Sequence, residues 1–284
     1  MGRCAKLHRR GTLPKVVLGD ADRLLIDEAV RIVDAARAEG IRLRLLGALG
    51  IHLHCKGLED VESRLTRLGE GPSRYTDMDF AAYGKERAGV RSILEDRFGL
   101  RSDAQAMLFH GKERLLYAHP TKEYHADVFF DRLSFSHTIE LGSPKGGRLD
   151  LDFPTLPAAD LLLSKLQIHE ITDKDVKDVI LLLRGHPLTK RDDDAINVDR
   201  VVEPLADDWG FWKDATGNLE TVRETTSRLQ HDGLLSPEAA ADVSAKVGSL
   251  LAAIEAAPKT RAWRKGERTF AKGRWWNDVE AVVR

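Results

Sequence analysis

The sequence predicts an α/β (α+β) fold in two parts, with a small mixed sheet and its helices in residues 1–153 and a helical region in residues 154–284. Short segments of alternating apolar and polar residues, bounded by Gly, Pro or charged turns, occupy the first part, and this pattern is typical of strands. After Pro157, apolar residues recur every three or four positions, which is typical of helices. A chain of 284 residues, 42% of them hydrophobic, is long enough for two such cores.

In the first part, each element is predicted from its local pattern. Apolar residues at helical spacing that stop at Gly40 predict the first helix, and the glycines within 47–50 allow a tight turn after the first strand. In chain order the elements are a helix at 20–40, a strand at 41–46, a glycine turn at 47–50, a loop at 56–75, a strand at 77–83 and a helix at 85–98. Three further strands are predicted at 106–109, 114–118 and 124–130, all in one mixed sheet.

In the second part, long helical periods predict helices at 158–170, 173–183 and 236–257, and a tryptophan-bearing helical region at 196–230. The helix at 236–257 has the clearest start, because Ser236 suits the N-cap, Pro237 the first helical position and Glu238 the first turn.

Charge and cysteine content exclude several classes of protein. Lys and Arg total 44 against 45 acids, so the net charge of −1 gives no global attraction to nucleic acid or membrane. Cys4 and Cys55 form no Cys-x-x-Cys pair, which argues against a disulfide framework and favours a reducing compartment, with the cytoplasm as the default. We expect no signal peptide, because no apolar core follows the basic N-terminus, and no membrane partner, because no run has the length of a span.

Two aspartates in one predicted strand suggest a metal site. Asp77 and Asp79 share a face of the strand about 7 Å apart, and like charges held so close are relieved by a raised pKa or by a cation. Asp127 lies in another apolar strand. If the two strands pair, the three carboxylates can hold two Mg²⁺ ions that bind a nucleotide's phosphates. The alternative for an isolated Asp-x-Asp is a solvated strand end.

The glycine turn before these aspartates suggests a phosphate site. The exposed amides of the glycine turn at 47–50, at the start of a helix, could hold a triphosphate. The order strand, glycine turn, helix, loop and Asp-x-Asp strand resembles the active site of the DNA polymerase beta-like nucleotidyltransferase superfamily.

Three motifs make the resemblance specific to one family of this superfamily. Leu-Leu-Leu-Ser-Lys-Leu at 161–166, Thr-Asp-Lys-Asp-Val-Lys-Asp-Val at 172–179 and Arg-Tyr-Thr-Asp-Met-Asp at 74–79 resemble motifs of the AbiEii/MenT-type nucleotidyltransferases. The resemblance spans roughly residues 41–185, and it implies a small mixed sheet followed by a helical region.

The resemblance also implies roles for single residues and a reaction. Gly47 and Ala48 would contact phosphates, and Asp77 and Asp79 would hold metal. Lys165 would bind triphosphate and Asp175 would support the site, with Asp178 as a rival for that role. The reaction would be Mg²⁺-dependent transfer of a nucleoside monophosphate from a nucleoside triphosphate to a hydroxyl, with RNA, tRNA foremost, as acceptor. Such an enzyme could be the toxin of a toxin–antitoxin system, with a cognate antitoxin protein as partner.

Two other functions stay open at this point. One is transfer to a small molecule such as an aminoglycoside, and the other is a non-catalytic member that binds nucleotide or a partner protein. Retention of the three carboxylates and Lys165 argues against the non-catalytic alternative. A site role for Lys165 rests on pairing with Asp175, ten residues later on what should be the next helix. The alternative is that Lys165 extends from an apolar helix face with its ammonium in water.

The remaining candidates are weaker. His52, His54 and Cys55 have the composition of a metal cluster, but their spacing places them on different faces of a helix. The pair His169-Glu170 is expected on a helix surface. The aromatic residues near 210 are expected in the core, and they are Trp209, Phe211 and Trp212.

The C-terminal tail interleaves basic and aromatic residues, a pattern that suits either nucleic-acid binding or packing on the helical region. Its members are Lys259, Arg261, Trp263, Arg264, Lys265, Arg268, Phe270, Lys272, Arg274, Trp275 and Trp276.

Overall fold

The predicted fold class is confirmed, because a small mixed sheet with helices is followed by a helical region. The computed structural model describes residues 19–65, 75–102, 114–121, 124–270 and 273–278. The strand predicted at 106–109 lies outside these ranges, as do the basic N-terminus with Cys4, the motif residue Arg74 and the tail residue Lys272.

The first part of the chain contains the sheet and four α-helices among its described residues. In chain order the elements are α1 (Asp20–Ala38), β1 (Leu43–Leu46), α2 (Gly47–His54), α3 (Glu59–Leu65), β2 (Asp77–Ala82), α4 (Arg87–Ser92), β3 (Arg101–Ser102), β4 (Arg114–Ala118), β5 (His125–Phe130), β6 (Arg132–Ser134) and β7 (Thr138–Glu140). A 3₁₀ turn precedes α4, and one π-helical turn continues it, so the helix predicted at 85–98 is confirmed.

The second part is helical in its described residues, apart from two short strands. Its elements are α5 (Ala158–Leu166), α6 (Asp173–Gly185), β8 (Leu188–Thr189), β9 (Ile196–Asn197), α7 (Val198–Asp207), α8 (Trp209–His231), α9 (Pro237–Ala256) and α10 (Arg261–Phe270). Ser236 caps α9 as predicted, since its side chain accepts a hydrogen bond from the Ala239 N–H.

Two local predictions were wrong. Residues 59–65 form helix α3 rather than a loop, because Val61 and Leu65 pack into the core and this packing outweighs a weak local pattern. Helix α5 ends at Leu166, four residues before its predicted end. The helical, tryptophan-bearing region is confirmed and consists of α7 and α8, which meet at Asp208, whose side chain accepts a hydrogen bond from the Phe211 N–H and so starts a new helix.

The main sheet has five strands within the described ranges, in the order β1-β2-β5-β4-β3. Strand β2 is antiparallel to β1 and parallel to β5, while β5, β4 and β3 are joined by antiparallel pairing. Strands β6 and β7 form a separate two-stranded hairpin. Strand β2 is therefore an inner strand, flanked by β1 on one side and by β5 on the other.

Each face of the sheet has its own apolar core. Met78 and Phe80 of β2 point to one face, where α1 packs through Ile32 and Val33. Ala81 of the same strand points to the other face, because side chains alternate along a strand.

The second core continues from the sheet into the helical region. It includes Leu46 and Phe129 from the sheet and the apolar faces of α5, α6, α8 and α9. One apolar cluster thus joins residues on both sides of position 153, and the two-domain division stays a prediction. No helix in the described part of the chain is long and apolar enough to cross a membrane.

Candidate active site

The predicted aspartates share one face of the sheet. In the parallel pairing of β2 with β5, Asp77 is aligned with His125 and Asp79 with Asp127. Aligned residues of paired strands point to the same face, so Asp79 and Asp127 are direct neighbours across the ladder. Their face is the one that packs towards the helical region.

The neighbouring carboxylates change the pKa of Asp79. Burial raises the pKa of Asp79, and the negative charges of Asp127 and Asp77 raise it further, against the opposing charges of Lys165 and Arg114. The resulting pKa is about 6. This carboxyl therefore binds a proton far more readily than an ordinary aspartate, and a bound cation would relieve the same repulsion.

The other two aspartates contact different partners. Arg114 of β4 forms an ion pair with Asp127, whose side chain is almost completely buried. The Thr76 hydroxyl donates to Asp77 at 3.1 Å, at the start of β2. Among the described residues, the three aspartates do not form a group whose oxygens all lie within 4.8 Å of one another. They share a face, but they do not converge on one point in this conformation.

The glycine predicted to bind phosphate packs directly against Asp79. Gly47 begins α2 with φ of +63°, and a Cβ atom at this position would lie 2.3 Å from Asp79 Oδ2. Only glycine combines this backbone conformation with so close an approach. Gly47 and Ala48 form the N-terminal turn of α2, where amide N–H groups have no partner within the helix and attract anions.

Lys165 lies between two carboxylates. Its Nζ atom is 2.8 Å from Asp175 Oδ1 and 2.9 Å from Asp178 Oδ2, so the predicted pairing with Asp175 is confirmed and Asp178 shares it. The alternative of an ammonium in water is wrong, because Lys165 is only 7% exposed. Burial raises the pKa of Asp175, but the Lys165 charge and hydrogen bonds from Lys165 and Thr172 outweigh burial and lower it overall.

A cavity of about 640 Å³ brings the main features together. Asp79 from β2, Gly47 from the start of α2 and Lys165 from α5 all line it. The cavity is large enough for a nucleotide-sized ligand. The other predicted site residues lie near these three in the chain or in the sheet but not in the cavity wall, and they are Ala48, Asp77, Asp127 and Asp175.

Part of the cavity wall is aromatic, which the sequence did not predict. His169 and Trp276 stack there with ring centroids 3.6 Å apart and an angle of 11° between planes. The expected position of His169 on a helix surface was wrong because α5 ends before it. His169 Nδ1 lies 3.0 Å from Asp214 Oδ1, and Asp214 also accepts a hydrogen bond from Trp275 Nε1. The sequence signal available for this aromatic wall was an acidic residue, Asp214, within the tryptophan-bearing region.

The tail returns to this cavity after α10. The Asn277 N–H donates to the Ser136 carbonyl at 3.0 Å, and Arg274, Trp276 and Asp278 also line the cavity. Within α10, Trp263 is buried while the basic side chains are exposed. Packing on the helical region is therefore confirmed for Trp263, whereas nucleic-acid binding by the exposed basic side chains of α10 stays a prediction.

The aromatic residues near 210 lie where the sequence predicted. Trp209 and Phe211 are buried, and Trp212 is half-buried against the same core.

The donor set fits a hard divalent cation such as Mg²⁺. Carboxylate oxygens are the ligands that Mg²⁺ prefers, and neighbouring negative charges contribute to the raised pKa of Asp79. Asp79 and Asp77 would hold the ion. Asp127, whose Oδ2 forms the ion pair with Arg114, is the neighbour of Asp79 across the ladder.

Comparison of the chain with known protein families, with curated proteins and with solved structures gave no match. The resemblance to AbiEii/MenT-type nucleotidyltransferases therefore stays a prediction from the sequence motifs.

Proposed function

We propose that this chain transfers a nucleoside monophosphate from a nucleoside triphosphate to a hydroxyl group of RNA, with tRNA as the first candidate. The observation that carries the proposal is one cavity lined by Asp79, Gly47 and Lys165. A carboxylate, a helix start and an ammonium are three groups that together suit a metal-complexed triphosphate, and they come from three separate elements of the fold.

Each of these groups has a distinct part in the proposal. The N–H groups at the start of α2 would bind phosphate oxygens, and the Lys165 ammonium would neutralise further phosphate charge. Asp175 and Asp178 contact that ammonium from α6 and hold it in position. Mg²⁺, when bound by Asp77 and Asp79, would supply charge neutralisation for the reacting phosphate.

The aromatic part of the wall suits the nucleoside. A base has an apolar face that stacks on tryptophan or histidine without regard to its identity. His169 and Trp276 present such rings in the same cavity as Lys165. Under this proposal the phosphates lie by Lys165 and the base lies by the aromatic rings.

The basic helix α10 favours an RNA acceptor over a small acceptor. The end of the tail connects this helix to the cavity. Arg264, Lys265 and Arg268 of α10 are exposed, and the chain runs from this helix back to Arg274 and Trp276 in the cavity wall. An RNA whose end enters the cavity would have these positive charges within reach, and they would neutralise its phosphates.

The test is incubation of the purified chain with Mg²⁺, each labelled nucleoside triphosphate in turn, and total RNA. We expect label in RNA, and we expect Asp79→Asn to lower its incorporation at least about 100-fold. Asp27→Asn changes an exposed aspartate of α1, which packs on the opposite face of the sheet. It is the matched control and should retain full activity.

Three outcomes separate the alternatives. Label in small acid-soluble products would replace RNA by a small acceptor. Binding of triphosphate without transfer would favour the non-catalytic function. Equal activity of the parent chain and the Asp79→Asn variant would remove Asp79 from the reaction.

A further inference from the structure

Two histidines and an aspartate meet at the C-terminal end of α2. His54 is the last residue of α2, His186 follows the end of α6, and Asp194 lies in the segment between β8 and β9. Their potential ligand atoms all lie within 4.8 Å of one another.

The two sequence neighbours that gave this region the composition of a metal cluster contact other groups. His52 pairs with Glu62, and Cys55 is buried beside the Leu181 carbonyl. Of the three residues grouped by sequence, His54 is therefore the one that reaches the cluster with His186.

The hydrogen bonds of the two rings determine where their protons are. His186 Nδ1 is 3.0 Å from the Leu182 carbonyl oxygen, which can only accept, so Nδ1 carries the proton. His54 Nε2 is 2.9 Å from the Leu156 carbonyl oxygen and 3.1 Å from Asp152 Oδ2, so Nε2 carries the proton for the same reason. In the neutral rings, His186 Nε2 and His54 Nδ1 therefore have lone pairs.

These two lone pairs face each other. His54 Nδ1 and His186 Nε2 are 3.2 Å apart. Two lone pairs at this distance repel unless a cation lies between them. The cation can be a proton on one of the rings or a metal ion that binds both.

The distances match a tetrahedral metal site. Zinc binds histidine nitrogens at about 2.0–2.1 Å, so two such ligands at a tetrahedral angle are separated by about 3.3 Å. The observed separation of the nitrogens is 3.2 Å. Asp194 Oδ1 is 3.6 Å from His186 Nε2 and supplies negative charge for a divalent cation.

The surroundings have the features of a metal site. Ligating histidines usually donate their second N–H to a carboxylate or a backbone carbonyl, as His54 does to Asp152 and Leu156 and His186 does to Leu182. A cavity of about 320 Å³ lies beside the cluster and is lined by both His54 and Asp194.

We propose that His54, His186 and Asp194 bind one divalent transition-metal ion, with zinc as the first candidate and water from the adjacent cavity as the fourth ligand. Imidazole nitrogens with one carboxylate favour zinc over Mg²⁺. The ion would connect the end of α2, the end of α6 and the β8–β9 segment. This site rests on observations separate from those of the proposed nucleotidyl transfer.

The test is titration of metal-free, tag-free protein with Zn²⁺ in competition with a chromogenic chelator. We expect one equivalent to bind, a higher unfolding temperature with zinc, and the visible absorption of four-coordinate cobalt when Co²⁺ replaces zinc. His54→Gln and Asp194→Asn should each weaken zinc binding at least about tenfold, and Asp152→Asn should do so to a similar degree. Asparagine suits position 194, where φ is +47°.

Matched controls are Asp193→Asn beside the cluster and His231→Gln at the exposed end of α8, and both should bind zinc as the parent does. Asp79→Asn should also keep zinc affinity, so loss of transfer and loss of zinc are distinguishable. Absence of saturable zinc binding by the parent would overturn the proposal and assign the shared cation to a proton. Unchanged affinity in the folded Asp194→Asn and His54→Gln variants would overturn it as well.

Discussion

The two ends of α2 present different chemistry over a short distance. A helix of eight residues is about 12 Å long, so the cavity at Gly47 and the histidine pair at His54 are close neighbours. At the first end the groups are a carboxylate with a raised pKa and a buried lysine, and at the second they are two imidazoles and a carboxylate. Oxygen donors select hard cations and imidazole nitrogens select transition metals. One short helix can therefore separate two kinds of cation site.

The largest effect is expected at Lys165, near the Gly47 end. Lys165→Met leaves Asp175 and Asp178 as two buried carboxylates without their shared cation, which should cost about 3–5 kcal/mol of unfolding free energy. Loss of a charged donor should also weaken triphosphate binding roughly 10- to 100-fold. Urea unfolding and nucleotide titration measure the two effects.

The triple variant Lys165→Met/Asp175→Asn/Asp178→Asn is the matched control for this prediction. It removes the uncompensated charges, so most of the stability should return while nucleotide affinity stays low. Recovery of nucleotide affinity in the triple variant would show that Lys165 has only a structural role.

The next effect concerns pH at the Gly47 end. The pKa of Asp79 is about 6 in the folded chain, above its ordinary value of 3.8, so the folded state binds this proton more tightly than the unfolded state. The contribution of this proton to the unfolding free energy is fully present below about pH 4 and is lost as pH rises through 6. The change amounts to up to about 3 kcal/mol. Asp79→Asn lacks this dependence. Unfolding of both metal-free proteins between pH 4 and 8 should show their stability curves separating, and parallel curves would contradict the prediction.

A smaller effect is expected to distinguish two glycines that have similar backbone conformations. Gly47 and Gly40 both have positive φ, but a Cβ atom at Gly40 would meet nothing within 4 Å, whereas one at Gly47 would displace the Asp79 carboxylate. Each Gly→Ala change should cost about 1–2 kcal/mol through backbone strain. Only Gly47→Ala should also lower nucleotide transfer, measured per folded molecule. Equal transfer by the two variants would separate the Gly47 contact from function.

The smallest effect is expected in the tail, away from both ends of α2. Replacing Arg264, Lys265 and Arg268 with Ala should weaken RNA binding and reduce the slope of log affinity against log salt by up to about 2, because three phosphate contacts are lost. Triphosphate affinity and zinc affinity should not change. Lys190→Ala/Arg191→Ala, which removes exposed positive charge elsewhere, is the control. Identical salt slopes for the parent and the triple variant would remove α10 from the RNA surface.

Local patterns were sufficient to predict β2 and the direction of its side chains. Alternation along Asp77–Ala82 places Met78 and Phe80 in the core, and this leaves Asp77 and Asp79 on the other face. The pairing of Lys165 with Asp175, ten residues later on the next helix, is also present as expected. These relations involve residues that are close in sequence, where helix and strand periods determine direction.

Contacts between distant segments could not be predicted in the same way. His54 meets His186 because the end of α6 packs beside α2, and no local period in the sequence encodes this. Arg114 pairs with Asp127 diagonally across the β4–β5 ladder, in which Arg114 is aligned with Phe129, and Trp276 reaches His169 only when the tail folds back. The periods of helices and strands carry no information on such long-range packing.

The stacked pair in the cavity wall has an optical consequence. All five tryptophans of the chain lie in the described residues, and among them Trp276 is the one that lines the cavity, against the ring of His169. Indole fluorescence depends on contact with imidazole and on exposure to water. A ligand that enters this cavity alters both, so the emission of Trp276 reports its arrival without any added dye.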